Sequence, residues 1–410
     1  MLYLLFFIGI FSISETFAST LIVDPKGKIS TITEAIQLAK DSDTIEISPG
    51  TYSEGMITIT KKLRLIAKGN VIVDGQTKEH VISINADNVR IEGMQIMNSG
   101  VSSMREFAGI HVKGSKNCEL VGNKLINNAY GFYLEKSENC LIENNESIGN
   151  AKDEIYGGNG IHLWSASGHT IKGNTLNKHR DGLYFEFSSN LKIENNSSSD
   201  SIRYGMHFMF SHENVFRKNK FFRNSSGVAI MYSRDTIVEE NTFEQNWGSG
   251  SHGILLKEIS TSRFYKNIFK ENAQGIYADN ANRNIFSENQ FLRNGWAINI
   301  LGNCEENKFE RNNFIENVFD LGTNSRDNSN DYTGNYWDKY RGFDMDKDGV
   351  GDKPHTPVQF FGYWVNVYPV LTLLFESPIV EMLEIAEKAF PVISPVSLLD
   401  SKPSLRVFQL

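Results

Sequence analysis

The side chains best equipped for chemistry in this 410-residue chain gather in four short segments, Asn159–Trp164, Arg180–Phe187, Arg203–Phe210 and Gly227–Tyr232. Alternate residues of an extended strand share a face, so His207 and Met209 lie side by side, about 6–7 Å apart at Cα. Met231 and Glu186 hold the place of Met209 in the neighbouring segments, and Trp164 holds it in the first. His162 and Tyr184 hold the place of His207. An imidazole beside two thioethers is a soft donor set suited to Cu(I), whereas Zn(II) prefers thiolates. His207, Met209 and Met231, with His162 and Glu186 beside them, are therefore candidate copper ligands, and an exposed His207 is expected to titrate near 6.5. The same residue types also build partner surfaces, with Trp164 and Tyr184 as contacts. Chance clustering is a third reading.

Other chemistries find less support. Glycoside cleavage needs clustered carboxylates, but the neighbours of Glu186 in its column are Trp164 and Met209. Asp181, Arg180 and Arg203 stand nearby without completing an acid pair. Asp344, Asp346, Asp348 and Asp352 are spaced like the start of a calcium loop, with Gly349 where the chain must turn. The distal Glu is missing, position 355 being His, so a hydrogen-bonded turn is the alternative to calcium. Cys118, Cys140 and Cys304 form neither a CxxC pair nor an even set, which leaves no zinc ribbon or disulfide framework. A formal charge of −8 without a basic block makes nucleic acid an unsuitable partner.

What must position these residues is a repeat. Gly109, Gly131, Gly160, Gly182, Gly205, Gly227, Gly253 and Gly275 each open an apolar-alternating stretch, and Ala297 and Asp320 continue the series. A second ladder runs Asn123, Asn145, Asn174, Asn196, Asn219, Asn241, Asn267, Asn289, Asn312 and Asn335. The first ladder precedes the second by 14 residues in eight coils and by 15 in the last two. Stacked coils about 4.8 Å apart bring identical positions together, and an Asn at an inward bend can bond backbone and neighbouring Asn alike. Leu125, Leu176, Phe221, Phe243, Phe269, Phe291, Phe314 and Trp337, two places after the ladder, would fill the interior. Cys118 and Cys140 fall five places before it, as small residues at an interior turn whose stacking would also permit a disulfide. The pattern predicts an all-β protein, a right-handed parallel β-helix over 19–340. Ser30–Ala39 is expected to form a cap helix over its open edge.

The connections from ladder Asn to the next opening position vary in one place. They are eight or nine residues long, except fifteen from Asn145 to Gly160 and twelve from Asn241 to Gly253. Extra loops on a solenoid mark a working face, which adds Asp153, Glu154 and Tyr156 to the expected partner surface. Residues 341–410 form a separate C-terminal module. There Ser377-Pro378 starts a helix, and Ile379, Met382, Leu383, Ala386 and Phe390 are expected to share an apolar face that caps the solenoid or docks on a transporter. At the other end, Leu2–Ile13 is an apolar run followed by Thr16-Phe17-Ala18, which reads as a signal peptide cleaved after Ala18.

The four segments named first, together with Gly253–Ile259 and Asn335–Asp352, closely resemble the NosD family, from about Ser19 to Lys402. The resemblance implies a non-enzymatic periplasmic protein, peripherally bound to the inner membrane through an ABC transporter. It also implies copper passing from a lipoprotein chaperone towards nitrous oxide reductase, whose copper–sulfur site it helps to assemble. No ligand set comes with the resemblance, so the candidate copper residues stand on their pattern. The rival classes are a carbohydrate-active β-helix enzyme and an adhesin or structural spike.

Overall fold

The computed structural model describes residues 18–248, 250–325, 329–374, 377–390 and 398–409. The proposed leader up to Phe17, and also Phe375 and Pro391 of the C-terminal module, lie outside them. Three parallel sheets of 13, 12 and 13 strands run the length of a β-helix. Register follows the repeat, with Ile161 paired to Leu183, Leu183 to Met206 and Met206 to Val228.

Each of the three corners carries its own polar ladder. At the first, Asn219 Oδ1 accepts from the backbone N (2.9 Å) and Nδ2 (3.0 Å) of Asn196. Asn219 Nδ2 donates to Ile193 O, Arg217 O and Asn241 Oδ1. The residue before each rung is left-handed, as at Asn144, Gly173 and Asn195, which explains the many Asn-Asn and Gly-Asn pairs. A second ladder, five residues on, links Asn224, Asn246, Asn272, Asn294 and Asn317. The third passes through Cys118, Cys140, His169, Asn214, Asn284 and Asn307. There Cys118 N meets Cys140 Sγ, Cys140 N donates to His169 Nδ1, and Asn284 N donates to Asn307 Oδ1. All three cysteines are free and buried.

Inside, Phe221, Phe243, Phe269, Phe291, Phe314 and Trp337 stack with centroids 4.0–5.5 Å apart. Burial of each such ring contributes about 1.5–3 kcal/mol. The opening glycines have a steric origin. A Cβ on Gly205 would lie 2.6 Å from Gly227 O and 3.0 Å from the Phe221 ring, so only a bare backbone lets coils approach there.

The ends are covered differently. The helix α1 (Ile32–Leu38), capped by the Thr31 hydroxyl, lays Ile32, Ala35 and Ile36 over the first coil. At the far end the chain tail returns. Buried Asp400 accepts from Gly334 N, Asn335 N and Trp337 Nε1, each at 2.9 Å, and so replaces the next rung of the ladder. Between these contacts lie α2 (Phe360–Val367), a 3₁₀ turn (Pro369–Leu374) and α3 (Pro378–Ala389). Phe361, Val365 and Val380 pack with Phe319 of the last coil, and Leu383 packs against that cluster.

Candidate functional site

The outward columns expected from alternation are present on the 12-stranded sheet. His162, Tyr184, His207 and Ala229 stack in one, and Trp164, Glu186, Met209 and Met231 in the next. Outward does not mean exposed here. His207 is 5% exposed and His162 8%, because rings on the same sheet roof them over. Tyr184 and Tyr204 stand 5.0 and 4.9 Å from His207. This corrects the expectation of an open histidine. The row is also longer than the four segments suggested: His80, His111, Tyr133, His162, Tyr184 and His207 follow one another at 4.1–5.3 Å. His111 and Tyr133 share the coil position of His162, so the repeat itself carried that signal.

Neither ring nitrogen of His207 meets a hydrogen-bond partner among the described residues, and the same holds for Nε2 of His162. Burial pushes the His207 pKa down to about 4, against the pull of the Asp181 carboxylate, instead of leaving it near 6.5. Burial, reinforced by the Arg180 guanidinium, pushes His162 down to about 3. Both are neutral at ordinary pH, which is the form that ligates metal. The structure places Met209 and Met231 on adjacent coils in register, with Glu186 on the coil before Met209. His162 stands apart from His207, with the Tyr184 ring between them at 4.8 and 5.0 Å. His207 and Met209 share one strand and Met231 follows Met209 on the next coil, whereas His162 lies two coils before His207.

Near this group Asp181 and Arg203 engage each other. Asp181 is fully buried and gripped by Arg203, Nε to Oδ1 at 2.9 Å and Nη2 to Oδ2, with Tyr204 N donating as well. It is a structural anion with no free face for acid–base work. Trp164 is half-buried beneath the Lys136 ammonium. The Asn145–Gly160 loop bends at Asp153, which accepts from Ile155 N and Tyr156 N, and Glu154 O accepts from Arg180. Asp153 and Tyr156 line a hollow of about 240 Å³ that has His179 among its walls.

In the C-terminal module Asp344, Asp346 and Asp348 converge. The Asp344 carboxylate already accepts from Lys347, Asp348 and Gly349 N–H groups, the geometry of a closed turn. Asp352 instead accepts from Met345 N and is not part of the group. On α3 the expected apolar face divides. Leu383 turns inward with Val380, while Ile379, Met382 and Phe390 are 58%, 70% and 68% exposed. Sequence reading missed Ile385, Leu373 and Val370, which extend the open side.

Comparison with known proteins bears on this arrangement. The family described as periplasmic copper-binding protein (NosD) matches residues 36–157 and 152–342. The chain belongs to the NosD family. NosD of Stutzerimonas stutzeri, called a probable ABC transporter binding protein, is 26% identical over 379 residues, covering 88% of this chain and 86% of its own. The protein of the same name from Pseudomonas aeruginosa is 27% identical over 394 residues and 91% of each chain. Among solved structures, a family 28 exopolygalacturonase of Yersinia enterocolitica superposes with TM-score 0.62 at 11% identity, covering 78% of this chain and 79% of that one. The Dettilon tailspike protein gives TM-score 0.56 at 13% identity, covering 78% and 70%. These two likenesses concern the fold alone, and the residues of the NosD face must be read on their own.

Proposed function

We propose that this NosD-family protein is a copper-binding accessory protein of the periplasm that takes up Cu(I) at His207, Met209 and Met231. In this reading it passes the ion towards nitrous oxide reductase while held by an ABC transporter. One observation carries the reading: a neutral, buried imidazole with both nitrogens bare lies on the same strand and face as Met209, two residues away, and Met209 is in register with Met231 on the next coil. A buried polar atom without a partner costs about 1–3 kcal/mol, and a soft cation supplies what the protein withholds. Entry would require Tyr184 or Tyr204 to swing aside, which suits an ion meant for transfer. Glu186, in register with Met209, is the further candidate ligand beside that group, and His162 is separated from it by the Tyr184 ring.

The transporter half of the proposal rests on α3 and the turn before it. Their inner side is anchored by Val380 and Leu383, and their outer side presents Ile379, Met382, Ile385 and Phe390 without cover. No helix among the described residues is long and apolar enough to cross a membrane, so the match is to a protein surface or bilayer boundary. The locked Asp181 favours binding over carbohydrate cleavage. The lipoprotein chaperone and the Asp-rich loop as a calcium site remain part of the proposal on sequence resemblance and spacing.

A competition titration tests the copper site. The double substitution His207→Ala and Met209→Leu is expected to weaken Cu(I) binding at least tenfold with the fold retained. Parental affinity in that variant would remove the assignment. For the transporter, Ile379→Asp with Met382→Asp should release the folded protein from membranes carrying it, and continued co-purification would end that part.

A further inference from the structure

At the corner that follows the Met209 column, one position repeats in seven successive coils: Lys136, Ser165, Phe187, Phe210, Tyr232, Glu258 and Asn280, all at φ between 49° and 52°. Left-handed backbone is unfavourable for bulky side chains, and most coils place a polar residue or Ser there. Aromatic residues occupy it only in the three successive coils that carry Glu186, Met209 and Met231. Two unusual columns thus coincide. Folding does not account for the rings, since Phe187 is 53% and Phe210 40% exposed.

Their geometry narrows what they meet. Phe187 and Phe210 stack at 5.3 Å and 9°, and Phe210 and Tyr232 at 4.8 Å and 16°. Both faces of Phe210 and one face each of Phe187 and Tyr232 are taken up by stacking, which leaves the ring edges and the two end faces. A sugar stacks on an aromatic face, and of the six faces here four are closed by the neighbouring ring. Ring edges carry the positive part of the quadrupole and attract thioether sulfur and carbonyl oxygen. The matching surface is therefore a protein's, apolar and rich in sulfur or exposed carbonyls. Sulfur ligands are also the ones that select Cu(I). The contact spans three coils, or about 10 Å, a small anchor suited to brief encounters.

We propose that Phe187, Phe210 and Tyr232 form a docking rib that seats a Cu(I)-exchanging protein beside Met209 and Met231; the proposal rests on the copper reading above. The test replaces Phe210 in the full-length chain with the photo-reactive p-benzoylphenylalanine and irradiates cells of the native host. Any partner is then purified, and Cu(I) transfer between it and this chain is timed. The expected adduct joins a different protein. Transfer should slow at least tenfold when Phe187, Phe210 and Tyr232 are each changed to Ser, with Cu(I) affinity and melting temperature unchanged. An absent adduct, an adduct only with a second copy of this chain, or parental transfer rates in the triple variant would each overturn the rib. If the triple variant transfers normally while His207→Ala with Met209→Leu loses copper, the rib alone falls. If that double variant keeps its copper while the triple variant slows transfer, the ligand assignment falls and the rib stands. A parent chain that binds no Cu(I) removes both.

Discussion

Polar side chains stack along this solenoid both inside and outside, twelve residues apart on one coil at His207 and Asn219, and the two kinds of stack are treated in opposite ways. The interior amides leave little unspent: Asn219 alone engages Asn196, Asn241, Ile193 and Arg217. The outward row of His111, His162 and His207 is just as dry, yet it contains bare nitrogens. Repetition supplies both stacks, since each coil places like positions in contact. The difference shows where polarity serves folding and where it is held back for something that arrives from outside.

The sharpest way to break that contrast is Asn219→Leu. Each orphaned group costs about 1–3 kcal/mol, and Asn196, Asn241 and two carbonyls lose partners together. A fall in denaturation midpoint larger than for any substitution in the outward row is expected. Equal midpoints for this variant and the parent would mean that the amides do not support the fold.

A smaller effect comes from pH. His169 occupies a rung of the third ladder, where its Nδ1 accepts from Cys140 N, and burial pushes its pKa down to about 4. The unfolded chain takes up the proton near 6.5, so the unfolded state binds more protons at any pH between the two values. Stability therefore falls as pH drops through 6.5 and continues to fall to about 4, by on the order of 3 kcal/mol at most for one such group. His169→Asn keeps an acceptor for Cys140 N and removes the titration. Its melting temperature should change less with pH over that window, and an unaltered profile would assign the acid sensitivity to other histidines.

The smallest stability effect should come from His207→Phe. It keeps a ring in the row and deletes two atoms that have no partners, so the free energy of unfolding should not fall, in contrast to Asn219→Leu. Cu(I) affinity should nevertheless drop at least tenfold in competition titration. A strongly destabilised variant would show His207 to be a rung like Asn219, and the contrast would dissolve.

Much of this was legible because a solenoid writes its contacts into sequence spacing. The first Asn ladder, the core rings from Phe221 to Trp337 and the pairing of His207 with Met209 follow from counting residues. Burial of His207 did not follow. It depends on the Tyr204 ring three residues earlier and on Tyr184 one coil away, which alternation alone treats as open neighbours. On α3, periodicity marked Leu383 and Met382 as one face, but Phe319, Phe361 and Val365 select only the side carrying Val380 and Leu383. The role of Asp400 was invisible for a simpler reason, since it joins positions 65 residues apart with no repeat between them.

That last contact has a consequence for how the molecule is made. Coils can stack in order as synthesis proceeds, each using its predecessor as template. The final edge stays raw until the tail crosses back and Asp400 binds Gly334, Asn335 and Trp337. A chain cut short before this carboxylate would carry an unpaired strand edge, open to proteases and to pairing with other chains. Arrival of one side chain thus separates a finished molecule from a nascent one.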